Sequence, residues 1–189
     1  AAALTLPTLS GLADAFKDFG MPFFHESDDE TLHVLEALRP MLEQGLARHD
    51  LVLLNWSHVG QAHLFSADPI ASVHDIKNAK LFTSAGDDTM VRWYRQHGFD
   101  PVPLDQSDVL IGLNTGLINA YPFPPYACLL LQYYRAAPFM LDMQLGLVVG
   151  ATVMTSRSWE RLSEEDRDAI RAAGQRVEQG LFRGVPRLD

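Results

Sequence analysis

Between Asp75 and Tyr121 short apolar runs alternate with helix-length amphipathic segments, and this alternation constrains the fold more than any other feature of the chain. Lys80-Leu-Phe-Thr83 reads as a strand. Gly86-Asp-Asp-Thr89 opens a helix that runs through Arg95 and closes near Gly98. Val102 centres a short strand, Ser107 caps a helix to Asn114, and Leu117 to Tyr121 is another strand. Strands separated by whole helices are joined by crossovers rather than hairpins, which predicts an α/β architecture with parallel sheets.

The flanking sequence extends this pattern. Ala1 to Leu6 is an apolar run stopped by Pro7, read as a buried strand. A helix is predicted from near Ser10 to Phe19, ended by Gly20, and Met21-Pro-Phe-Phe24 is extended because Pro22 forbids a helix interior. Ser27 with Glu30 forms a capping box for a helix whose Leu32, Leu35, Leu38, Leu42 and Leu46 share one face. Pro40 within it predicts a kink or two abutting helices. Leu51-Val-Leu-Leu54 reads as a buried parallel strand and Gln61 to Phe65 as a second strand-like region, followed by the loop Ser66-Ala-Asp-Pro69. Pro124 starts a helix through Tyr134. Leu145 to Met154 is a long strand whose Gly146 and Gly150 suit either a hinge or close packing. Ser163 caps a last helix with Ile170, Ala173, Val177 and Leu181 as its core stripe.

Composition narrows the function. The 189 residues suffice for one sizeable core or two small lobes. A net charge of -9 argues against sequence-independent nucleic-acid binding, which needs Lys and Arg to neutralise phosphates. The single cysteine, Cys128, allows neither an intrachain disulfide nor a Cys-based zinc site and reads as a buried hydrophobe. No run is long and apolar enough to predict a membrane-spanning helix. Ala1-Ala-Ala-Leu-Thr-Leu6 lacks the positive region of a signal peptide, and both ends read as cut. His58 and His63, or His25 and His33, do not have the spacing of a helical metal pair, and His25, His33, His49, His74 and His97 read as surface or loop residues. Thr83-Ser-Ala-Gly86 is the nearest approach to a hydrolase nucleophile turn, but it lacks the leading glycine and an evident histidine–acid partner. No nucleotide-binding loop occurs, and no cofactor is implied.

The ordered motifs carry a resemblance. Pro69-Ile70 precedes Asp75-Ile-Lys-Asn-Ala-Lys-Leu-Phe82; then come Gly98-Phe-Asp-Pro-Val-Pro-Leu104 and Asp108-Val-Leu-Ile-Gly-Leu-Asn-Thr-Gly-Leu-Ile-Asn-Ala-Tyr121. With Met21-Pro-Phe-Phe24 upstream and Trp159-Glu-Arg-Leu-Ser163 downstream, this series resembles the DctP-type solute-binding proteins of TRAP transporters over most of residues 1–180. The resemblance implies a two-lobed periplasmic-binding-protein-like α/β fold with mainly parallel sheets and a hinge. Lobe I would combine residues 1–59 with 149–189, and lobe II would span 60–148. It further implies a periplasmic receptor, not an enzyme and not membrane-spanning, that holds a small-molecule solute between its lobes and delivers it to TRAP permease subunits. A lipid anchor on a preceding segment is compatible with it.

The site departs from the family pattern. Phe82 stands where such proteins place a carboxylate-clamping arginine, Gly60-Gln61-Ala62 replaces Gly-Phe-Arg, and Pro122-Phe123 replaces Glu-Asn. The expected lining is Trp56, His58, Phe82, Ser84, Tyr121, Phe123 and Gln144, selecting an uncharged or hydrophobic solute by shape and neutral hydrogen bonds. The turn Thr83-Ser84-Ala85-Gly86 offers backbone amides to an anion, although Asp87 and Asp88 would repel it. Three other readings are an organic acid held by an arginine elsewhere, such as Arg92 or Arg135, a small hydrolase-like enzyme, and a partner-binding module.

Overall fold

The computed structural model describes residues 1–12 and 27–185 of the chain. The predicted helix beyond Leu12, its Gly20 cap, the Met21–Phe24 segment and His25 lie outside the described residues. The chain divides into two compact units, Ala1–Gln61 with Gly146–Asp189, and Ala62–Leu145.

The first unit holds β1 (Ala2–Thr5), α1 (Leu6–Leu12), α2 (Asp28–Ala47), most of β2 (Leu51–Ser66), β7 (Gly146–Thr155), α7 (Ser156–Glu160) and α8 (Glu164–Gly184). Its strands lie in the order β1-β7-β2, with β1 antiparallel to β7. The β1 run ends one residue earlier than predicted, because Leu6 and Pro7 already form the first turn of α1. The Ser27 hydroxyl accepts the Glu30 amide at 3.1 Å, which satisfies one free donor at the start of α2. A single helix runs through Pro40 rather than two abutting ones. Its Leu35, Leu42 and Leu46 are fully buried against Leu9, Trp56 and the inward face of β7. Leu147, Val149, Ala151 and Val153 form that face at the period of two a strand requires. Gly150 packs closely: a Cβ there would stand 3.1 Å from the Leu4 carbonyl oxygen of β1.

Three expectations fail in this unit. The first strand, read as buried, is largely exposed, only Leu4 being partly covered. The two predicted strands around residues 51–54 and 61–65 are one sixteen-residue strand, β2. The intervening Asn55, Ser57, His58 and Gly60 look like a break, but Asn55 and His58 are buried within the strand and Gly60 takes a φ of 127°. The contact face of α8 is also displaced by one residue. Gly174, Glu178 and Phe182 face β2, while Val177 of the predicted stripe is half exposed. The cause is a strand edge that needs cover. Glu178 accepts the Trp56 backbone N–H at 2.9 Å and also binds the Arg39 guanidinium. Gly174 lets the helix backbone approach the Leu54 carbonyl, where a Cβ would collide.

The second unit contains the end of β2, α3 (Val73–Asn78), β3 (Lys80–Ser84), α4 (Asp88–Gln96), β4 (Asp100–Leu104), α5 (Val109–Thr115), β5 (Ala120–Phe123), α6 (Pro125–Leu130) and β6 (Phe139–Met140). The strand order is β2-β5-β3-β4, and β6 also pairs with β2. Pairing is parallel for β3 with β4 and β5, as the alternation predicts, and antiparallel for β2 with β5 and β6. The outer strand β4 carries Pro101 and Pro103, which lack the N–H groups that would recruit another strand.

Three boundaries in this unit differ from expectation. Ser107, expected to cap α5, lies inside a 3-10 turn, and the helix begins at Val109 without a side-chain cap. The strand predicted at 117–121 begins at Ala120. Gly116 closes α5 in the left-handed region, and Ile118 N–H turns back to the Gly112 carbonyl, so pairing starts later. The helix predicted to Tyr134 stops at Leu130. Gln132 takes a φ of 58°, and a short 3-10 turn then carries Tyr133 into the core.

Candidate functional site

In the second unit β3 leads through α4 to β4 on one side. The strand on its other side, β5, leads through α6 toward β6, which pairs with β2. Connections leaving adjacent parallel strands in opposite directions open a crevice at the strands' carboxyl ends. Ser84 ends β3 and Phe123 ends β5 at that side, with Phe82 at the middle of β3 and Tyr121 second in β5; Leu81 pairs with Ala120, so the two strands run nearly level. Gln106 follows β4 at the same end.

These residues form an aromatic cluster with a polar tip. Phe82 meets the Tyr121 ring edge-on at 4.8 Å, and Tyr121 also contacts Phe123 at 4.8 Å and Tyr133 at 5.6 Å. The Gln106 side-chain amide donates to the Tyr121 hydroxyl. Burial pushes the Tyr121 phenol far above the ordinary range, and the Gln106 hydrogen bond opposes that more weakly. Burial also raises the Tyr133 phenol, again against a hydrogen bond from Gln106. Both phenols are therefore neutral at physiological pH. Neither Gln106 nor Tyr133 is among the residues expected from the sequence. The one available signal for Gln106 is its place just beyond the carboxyl end of a predicted parallel strand.

The expected residues separate into groups. Phe82, Ser84, Tyr121 and Phe123 come together; Phe82 is 7% exposed and packed, and Phe123 is half-buried. Trp56 and His58 belong to the other unit. Trp56 lies wholly inside the aliphatic core, and His58 is buried edge-on to Phe182 at 5.4 Å. Gln144 is exposed on the segment after β6. Arg92 is exposed on α4, and Arg135 is exposed on the same 3-10 turn as Tyr133.

The expected anion cradle is largely occupied by the protein's own groups. Ala85 N–H donates to the Leu104 carbonyl at 2.9 Å, Asp87 N–H to the Ser84 carbonyl at 3.1 Å, and Met90 N–H to the Asp87 carboxylate at 3.0 Å. At the opposite, amino ends of β3 and β5 lies a hollow of about 200 Å³, whose lining includes Ser66, Asp68, Ile70, Asp75 and Asn119. There the Asp75 carboxylate is held below its usual range by the Ser72 hydroxyl and then by the Ala71 N–H. Among the described residues no group of three or more His, Cys, Asp or Glu side chains is placed to hold a metal. No described helix is long and apolar enough to cross a membrane.

The model of the bacterial extracellular solute-binding proteins, family 7 (DctP), matches residues 1–184. The chain belongs to this family. The ectoine-binding periplasmic protein TeaA of Halomonas elongata is 28% identical over 161 residues, which cover 82% of this chain and 46% of TeaA. In fold, the chain is similar to the Bordetella pertussis extracytoplasmic solute receptor DctP7, which binds pyroglutamic acid. The TM-score is 0.87 at 21% identity, covering 97% of this chain and 60% of that one. A TRAP periplasmic solute-binding protein from Chromohalobacter salexigens, solved with bound D-glucuronate, gives a TM-score of 0.84 at 22% identity, covering 94% of this chain and 60% of the other. The chain thus spans about half the length of the curated relatives it matches.

Proposed function

We propose that the protein acts as an extracytoplasmic, periplasmic receptor of a TRAP-type transporter, capturing a small solute for delivery to the membrane permease. The two compact units would be its two lobes. Binding and release, rather than covalent chemistry, would be its work. The observation that carries this reading is the family match over residues 1–184.

The cargo we favour is a small polar organic acid. The expectation of a neutral or hydrophobic solute rests chiefly on Phe82, and Phe82 is occupied in packing against Tyr121. The named relatives are associated with ectoine, pyroglutamic acid and D-glucuronate, none of them a hydrocarbon-like molecule. Without arginine at the family's usual positions, this unit would hold such a solute by neutral hydrogen bonds and ring faces. Arg135 stands on the same 3-10 turn as Tyr133, at the aromatic cluster, whereas Arg92 lies on α4.

Differential scanning fluorimetry of the purified protein tests the reading, with D-glucuronate, pyroglutamate, ectoine and neutral glucose as probes. Saturation at a hundredfold over Kd adds about 2.7 kcal/mol to the bound state, a rise of several degrees in a domain of this size. A rise with one of the acids and no turnover supports it. A rise with glucose alone would restore the neutral-cargo expectation, and turnover of any probe would overturn the receptor reading.

A further inference from the structure

The exposed tip of the aromatic cluster is a single side chain. Tyr121 and Tyr133 are almost completely buried, at 1% and 7% exposure, whereas Gln106 stands in solvent just past the end of β4. Its amide nitrogen donates to the Tyr121 hydroxyl, and Tyr133 packs beside that ring. Both phenols are anchored in turn by rings: Tyr121 by Phe82 and Phe123, and Tyr133 by Tyr121 and Phe123. A side chain with several rotatable bonds is thus held at one end by rigid partners. Its Oε1 takes no hydrogen bond among the described residues.

We propose that Gln106 is a specificity-determining residue of the carboxyl-end crevice, presenting a fixed neutral acceptor that selects solutes carrying a hydroxyl group. This rests on the receptor reading above and adds to it the chemical feature the site would read. An amide oxygen accepts a hydrogen bond from a hydroxyl and offers nothing favourable to a carboxylate, so Gln106 would read the solute's hydroxyl end. A solute that lacks the hydroxyl leaves that oxygen without a partner, and such a mismatch is the strongest basis for discrimination between solutes of equal charge. Preorganisation by the two phenols keeps the entropic cost of forming the bond low.

The test compares D-glucuronate with cyclohexanecarboxylate, an acid of similar ring size and charge without hydroxyls. Calorimetric Kd values are measured for the unmodified protein, Gln106→Leu, Gln106→Glu and Tyr133→Phe. In Gln106→Leu the preference for D-glucuronate should fall about tenfold, and the melting temperature of the unliganded protein should fall by a few degrees, because the buried Tyr121 hydroxyl loses its hydrogen-bond partner. Gln106→Glu should weaken D-glucuronate at least as much, through repulsion of its carboxylate and loss of the amide donor. Tyr133→Phe should lower the same preference by a smaller factor. A fall of less than threefold in Gln106→Leu, or equal weakening of both acids, overturns the inference while leaving the receptor reading intact. Failure of the unmodified protein to bind either acid removes the cargo reading and the inference together.

Discussion

The two units bury different kinds of interior, and their polar atoms do different work. The first unit is aliphatic: leucines of α2 and alternating residues of β7 enclose Trp56. Its partly buried Glu178 carboxylate is directed at backbone and at Arg39, where it covers a strand edge. The second unit has an aromatic interior around Tyr121, whose hydroxyl takes a side-chain hydrogen bond from exposed Gln106. One arrangement closes a surface. The other carries hydrogen-bonding capacity from a core to the end of a parallel sheet, where α/β proteins bind ligands.

This contrast can be broken most severely at the seam between α8 and β2. Gly174→Ala drives a methyl group into the Leu54 carbonyl, and the helix must move off the strand edge to accommodate it. Overpacking against backbone should cost about 3 kcal/mol, read as a lower urea midpoint. An unchanged midpoint would show that α8 does not rest on that edge.

Glu178→Ala should cost less, about 2 kcal/mol, by removing the acceptor of the Trp56 N–H and the nearer of Arg39's two carboxylate partners, Glu43 being the other. Glu178→Gln, which keeps an acceptor for the amide, should recover part of the loss. Equal loss in both variants would assign the stability to the ion pair instead.

The smallest effect concerns the second unit and appears only in alkali. The folded-state phenol of Tyr121 lies above its unfolded value, so the folded chain binds the proton more tightly. That contribution is complete below pH of about 10, the ordinary phenol range, and is lost progressively as pH rises beyond it. Tyr121→Phe should therefore flatten the fall of the melting temperature above that pH. An alkaline profile identical to that of the unmodified protein would remove Tyr121 as its source.

Much of the fold is legible in the sequence because its signals are local. Ser27, Asp87 and Ser163 each cap the helix that follows, and each side chain accepts the amide three residues on. The strands β3, β4 and β7 are recognisable from apolar runs set between turns. Phe82, Ser84, Tyr121 and Phe123 could be grouped before the fold was seen, because they occupy matching places in the family's ordered motifs. Gln106 and Tyr133 could not. Their significance depends on meeting Tyr121, one from a loop fifteen residues earlier and the other after a break in the helix.

The sequence by itself thus determined the order of helices and strands, the parallel unit at 80–123 and membership of a solute-binding family. Tertiary structure decided that β2 is continuous, that Phe82 is packed, and which face of α8 meets the strand. The physical reason is range. Caps and periodicity act over a few residues, whereas Glu178 reaches Trp56 across 122 positions and turns α8 by one residue to do so. A hydrogen bond to an uncovered strand edge outweighed the apolar stripe that the helix carries on its own.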